Sequence, residues 1–95
     1  MGNIYSVRVT KKALENLEKV PRRIVKKFDR WFEMVENQGI REARKIKSYH
    51  DEPLQGDRFG QRSIRLNRAY RAFYIEKRDG IIELIEVLEV NKHDY

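Results

Sequence analysis

The chain has 95 residues, a formal net charge of +6 and 38% charged residues. A length of 95 residues is that of one domain, so residues 1–95 are expected to fold as a unit with a small core. The absence of cysteine excludes disulfides, thiolate catalysis and zinc–thiolate sites, and the short apolar runs and leaderless start (Met1-Gly2-Asn3-Ile4-Tyr5) predict a cytoplasmic protein with no membrane partner.

Ile4 to Val9 alternates and is rich in β-formers, which predicts a strand. Thr10 is placed to cap a first helix over Lys11–Lys19, with Ala13, Leu14 and Leu17 on one side. Pro21 suits the first turn of a second helix. That helix carries Ile24, Val25, Phe28, Trp31, Phe32 and Val35 at spacings of three and four, as a core-facing stripe does. Asn37-Gln38-Gly39 marks a break, and Ile40 to Lys47 is expected to add a helical turn or two. Residues 48–58 contain Pro53 and Gly56 and read as a loop. Strands are expected over Gln61–Asn67, Tyr70–Lys77 and Ile81–Val90, with a turn at Arg78-Asp79-Gly80. The last of these is the most apolar and is expected to be central or buried on both faces. The expected order is β-α-α-β-β-β: an α+β fold, with one antiparallel-rich sheet and a helical hairpin on one face.

The polar residues are unevenly placed. Arg58, Arg62, Arg65, Arg68 and Arg71 occur with no acid between the first and the last. Such a stretch attracts polyanions, although a solvated strand face would look the same. His50-Asp51-Glu52 sits in the predicted loop, and the chain ends Asn91-Lys92-His93-Asp94-Tyr95. An imidazole exchanges protons near neutral pH and suits general acid or base work. A small basic chain of this kind is suited to act on RNA. His50, Asp51, Glu52, His93 and Asp94 could also be read as metal ligands. Their spacing fits no pattern such as H-E-x-x-H, so no metal and no organic cofactor is expected.

Four motifs carry a resemblance: Glu52-Pro53-Leu54, Ser63-Ile64-Arg65-Leu66-Asn67, Tyr70-Arg71-Ala72-Phe73-Tyr74 and the Asn91–Tyr95 ending. In this order and spacing the chain resembles the RelE/ParE superfamily of type II toxin–antitoxin toxins, most closely the HigB-type and YoeB-type mRNA interferases. The element order matches over the whole chain, while the specific motifs lie in its second half. The resemblance implies a ribosome-dependent endoribonuclease that cuts mRNA in the A site without metal and is neutralised by a cognate antitoxin. It also implies roles. Arg71 matches the catalytic arginine, with Arg65 as a second phosphate ligand. Glu52 matches the carboxylate base of YoeB-like members, with His50 and Asp51 as rival bases. His93 is expected as general acid or base, Tyr95 as the terminal aromatic, and Asp94 as a holder of the His93 tautomer or a surface charge. Lys47, Arg58, Arg62, Arg68 and Lys92 are expected to contact RNA. Members of the ParE branch poison DNA gyrase instead and generally lack the acid–base set. A non-toxic relative that only binds RNA or an antitoxin is the remaining alternative. An acidic antitoxin segment is expected over the Arg58–Arg71 surface.

Overall fold

The computed structural model describes residues 4–92. Strand β1 spans Ile4–Val9, followed by helices α1 (Lys11–Lys19), α2 (Arg22–Gln38) and α3 (Ile40–Arg44). A 3-10 turn at Lys47–Tyr49 leads to β2 (Glu52–Pro53), and a second at Gly56–Arg58 leads to β3 (Arg62–Arg65), β4 (Tyr70–Asp79) and β5 (Ile82–Lys92). The five strands form one sheet in the order β1-β5-β4-β3-β2. β1 runs parallel to β5, and every other pairing is antiparallel.

Thr10 caps α1 as its side chain predicts: its Oγ1 accepts from the Ala13 amide at 3.1 Å. The same hydroxyl donates to the Leu88 carbonyl at 3.0 Å, and the Asn16 carboxamide accepts from the Val90 amide at 3.0 Å, so polar side chains fix this helix to β5. Both contacts flank a register shift, where Phe73 pairs with Glu89 but Tyr74 with Val87. Leu88 is the extra residue of this bulge, and the shift keeps both Val87 and Val90 on the core side.

Helix α2 buries Ile24, Phe28, Trp31 and Val35, the stripe read from its periodicity. Trp31 packs on Phe28 (centroids 5.9 Å apart) and on Tyr74 of β4 (5.5 Å). Removing a side chain of this size from water contributes about 2–3 kcal/mol. Gly39 ends the helix at φ +89°, and a Cβ there would stand 2.7 Å from the Tyr5 ring, so glycine is required twice over. Ala13, the α2 stripe, Ile40 and Ala43 join Ile64, Ala72, Tyr74, Ile85, Val87 and Val90 in one core cluster. The helices therefore cover one face of the sheet.

Two expectations are corrected, and a third is narrowed. The sheet has five strands rather than four, because the presumed loop contains β2. Pro53 is tolerated there because β2 is an edge strand that needs few ladder donors. The stretch after Gly39 is helical only to Arg44 before the 3-10 turn at Lys47–Tyr49. β5 is an inner strand, but it is not apolar on both faces: Glu86, Glu89 and Asn91 alternate away from the core residues Ile85, Val87 and Val90. Among the described residues, no helix is long and apolar enough to cross a membrane.

Candidate functional site

The face without helices is where charged side chains collect. Register places Ser63 and Arg65 of β3 opposite Phe73 and Arg71 of β4, which in turn lie opposite Glu89 and Asn91 of β5. Glu52 of β2 lies opposite Ser63. Alternation sends all of these to one side, because Ile64, Ala72 and Val90 between them belong to the core.

Arg71 is the centre of this face. It is only 6% exposed. Its Nη1 donates to Glu52 Oε1 at 3.1 Å and to the Ser63 hydroxyl at 3.2 Å. The ordinary alternative for this arginine stretch was a solvated strand face. The guanidinium is buried instead, and Glu52 holds it. Glu52 keeps a side-chain exposure of 41%, and its other oxygen lies 3.4 Å from His50 Nε2. His50 sits just before β2 with φ +45°, a left-handed conformation that costs a β-carbon residue on the order of 1 kcal/mol or more.

Arg65 and Arg71 are direct cross-strand partners. Like charges directly opposite on one face repel, and among the described residues only Arg71 of the two has a carboxylate beside it. Among the described residues, neither Arg65 nor the exposed Arg68 at the hairpin tip has an acidic partner. Asn67 shapes that tip by accepting from the Ala69 and Tyr70 amides at 2.7 and 2.8 Å.

Arg58 reaches back onto the same face. Its guanidinium lies 4.1 Å over the Phe73 ring, donates to Gln61 Oε1 at 2.9 Å and pairs with Glu89. Glu89 also takes Lys12 at 2.5 Å. The Lys12 ammonium, opposed by burial and helped by Arg58, holds the Glu89 carboxyl below the usual carboxylate range. Sequence reasoning did not select Glu89. Its signal was a carboxylate in the middle of the most apolar strand.

Asp51 lies on the opposite side of the sheet from Glu52. Its side chain is 1% exposed and pairs with Arg62 Nε at 2.7 Å and Arg44 Nε at 3.5 Å. The Tyr74 hydroxyl donates to its second oxygen. Burial, then the Asp51 charge, push the Tyr74 phenol well above its ordinary value. Asp51 and Arg62, expected as rival base and RNA contact, thus meet each other on the core side. Lys47, in the turn before β2, and Lys92, at the end of β5, are exposed. His93, Asp94 and Tyr95 lie outside the described residues.

Among the described residues no three histidine or carboxylate side chains converge as a metal site requires. What the open face offers is a shallow, positively charged surface. Two arginines are set side by side, a carboxylate pairs with one of them, and an aromatic ring lies beneath a third arginine. Such a surface can hold a phosphodiester and place a proton acceptor beside it.

No family model matches the sequence, and no curated protein matches it. Solved structures do match along almost the whole chain. A YoeB/ParE toxin from Agrobacterium tumefaciens is 24% identical, covering 94% of this chain and 99% of its own, with a TM-score of 0.65. A chain of the RelBE2 toxin–antitoxin complex from Mycobacterium tuberculosis is 22% identical over 94% of this chain and 98% of its own, with a TM-score of 0.67. A chain of the E. coli DinJ–YafQ toxin–antitoxin complex is 16% identical over 95% and 93%, with a TM-score of 0.70. The fold of this chain is that of these toxin structures.

Proposed function

We propose that the protein is the toxin of a type II toxin–antitoxin pair and acts in the cytoplasm as a ribosome-dependent mRNA endoribonuclease. The observation that carries this reading is the Arg71–Glu52 pair, 3.1 Å apart on the helix-free face, with Arg65 directly across the hairpin. The structural relatives include toxins solved with their antitoxins, which supports a cognate antitoxin for this chain as well. An acidic antitoxin segment over Arg58–Arg71 would match the charge of that surface.

The proposed reaction is a transesterification. Glu52 takes the proton of a ribose 2′-OH, and the 2′-oxygen attacks the neighbouring phosphorus. Arg71 and Arg65 hold the phosphate oxygens as charge builds on the phosphorane. The bond from phosphorus to the 5′-oxygen breaks, and His93 supplies the proton to that oxygen. Tyr95 stacks on a base or donates to the phosphate. The products are a 2′,3′-cyclic phosphate and a 5′-OH, and no step is routed through a metal. In the free protein Glu52 neutralises Arg71; an incoming phosphate takes over that role and leaves the half-exposed carboxylate to act as base. The A site supplies what a flat surface lacks, an mRNA bent so that the 2′-oxygen lines up with phosphorus.

The test is a translation system with primer-extension mapping of mRNA ends, comparing the parent with Arg71→Ala and His93→Ala. Ribosome-dependent cuts with 5′-OH ends, lost in both variants, are expected. Cut ends bearing a 5′-phosphate would overturn the mechanism. An absence of cuts with unimpaired translation would move the reading to a ParE-like gyrase inhibitor or a binding-only relative.

A further inference from the structure

Phe59 is 80% exposed, the highest value among the large apolar side chains of the described residues. A lone exposed apolar side chain is ordinary on a protein surface. The setting of this one is not. Phe59 stands in a tight loop whose neck is closed by the Leu54 amide on the Gln61 carbonyl at 3.0 Å. Inside the loop the Phe59 amide donates to the Gly56 carbonyl at 3.0 Å, and the Gln61 amide to the Arg58 carbonyl at 2.9 Å. The backbone is thus bonded on both sides of a ring that touches almost nothing.

The neighbouring residue shows where the loop is anchored. Arg58 turns inward, lies 4.1 Å over Phe73 and pairs with Glu89, on the same sheet face as Arg71. Phe73 follows Arg71 by two residues on one strand, so the loop borders the Arg71–Glu52 pair. One residue of the loop ties it to the site, and the next leaves a flat aromatic ring in solvent. Arg65 and Arg68, without acidic partners among the described residues, supply positive charge on the same hairpin. A ligand fitted to this arrangement has regularly spaced negative charges and flat apolar groups between them. Single-stranded RNA has both.

Resting on the nuclease reading above, we propose that Phe59 is a stacking platform for an unpaired nucleobase of the bound RNA strand. It contributes affinity without reading sequence, because every base offers a π-face. The ring needs no rearrangement to accept a base.

The experiment compares the parent with Phe59→Ala and Phe59→Trp. In ribosome-dependent cleavage, Phe59→Ala is expected to lower kcat/KM by roughly tenfold, the effect of losing one stacked base. Phe59→Trp is expected to cut as the parent does. Thermal unfolding of Phe59→Ala should match the parent, since the side chain packs on little. In the second arm, an RNA oligonucleotide made uncleavable by 2′-deoxy substitution is added to Phe59→Trp. Tryptophan emission should be quenched, and an abasic strand of equal charge should fail to quench it. Cleavage by Phe59→Ala at the parental rate, or equal quenching by the abasic strand, would overturn the stacking role alone. Unchanged cleavage with lost binding of an acidic antitoxin peptide would reassign Phe59 to a protein partner. A parent that cuts no mRNA would overturn the nuclease reading instead, which separates the two failures.

Discussion

Asp51 and Glu52 are neighbours in the chain and present their carboxylates to opposite faces of the sheet: Asp51 to Arg62, Arg44 and Tyr74 on the core side, Glu52 to Arg71 on the open side. β2 is only two residues long, and Pro53 contributes no amide to its ladder. The buried Asp51 network therefore does much of the work of holding Glu52 beside Arg71.

Asp51→Asn should consequently destabilise the protein. Removing one partner of a buried ion pair leaves the others uncompensated and costs about 3–5 kcal/mol. Tyr74→Phe removes one hydroxyl from the same network and should cost about 1 kcal/mol. Urea unfolding of both variants checks this. A loss for Asp51→Asn no larger than that for Tyr74→Phe would mean that the network is not what fixes β2.

Arg71→Ala should reduce mRNA cleavage by roughly a hundredfold to a thousandfold, as loss of a preorganised charge stabiliser does. Arg71→Lys should restore little, because an ammonium cannot reach Glu52, Ser63 and a phosphate as a planar guanidinium can. Rates of primer-extension product on programmed ribosomes decide the matter, and full activity in the lysine variant would refute it.

The side-by-side placement of Arg65 and Arg71 predicts an anion site in the free protein. An anion bound only to the folded state raises the melting temperature with its concentration. Inorganic phosphate should therefore stabilise the parent more than chloride at equal ionic strength, and Arg65→Ala should abolish the difference. Equal responses to both salts would argue against phosphate held by this pair.

Two groups are expected to make stability depend on pH. The Tyr74 phenol is raised by burial and by Asp51, so the folded state keeps it neutral where the unfolded chain ionises at the ordinary tyrosine value of 10.0. Its contribution is complete below pH 10.0 and is lost as pH rises above that. Glu89 is shifted the other way, chiefly by Lys12: its contribution is present above the ordinary carboxyl value of 4.5 and is lost as pH falls below it. Denaturant midpoints across pH, with Tyr74→Phe and Glu89→Gln alongside, should flatten the alkaline and acid limbs respectively.

Much of this architecture is local and was legible in the chain. Alternation marked β1, three-to-four spacing marked the buried face of α2, and the Thr10 hydroxyl and Gly39 marked helix ends. These signals work because each depends on residues within a turn or two of one another. That Arg65 stands directly opposite Arg71 was not legible: strands ending at Asn67 and starting at Tyr70 would have set Leu66 there. Helix α3 was read too long and β2 was missed, because two residues with a proline show no period.

What only the tertiary structure decided is which carboxylate meets which arginine. Asp51 and Glu52 were rival bases, and Arg62 and Arg71 were both expected to meet RNA, and the residue types alone do not say which pairs with which. Their separation follows from the pleat: once β2 pairs with β3, consecutive side chains must take opposite faces. Arg58 was expected to contact RNA, and the fold adds that it is held across the sheet by Glu89, 31 residues away. Composition and local pattern fixed the elements and the positive charge. Long-range pairing, which no local pattern encodes, determined where those charges are neutralised and where they remain open to a ligand.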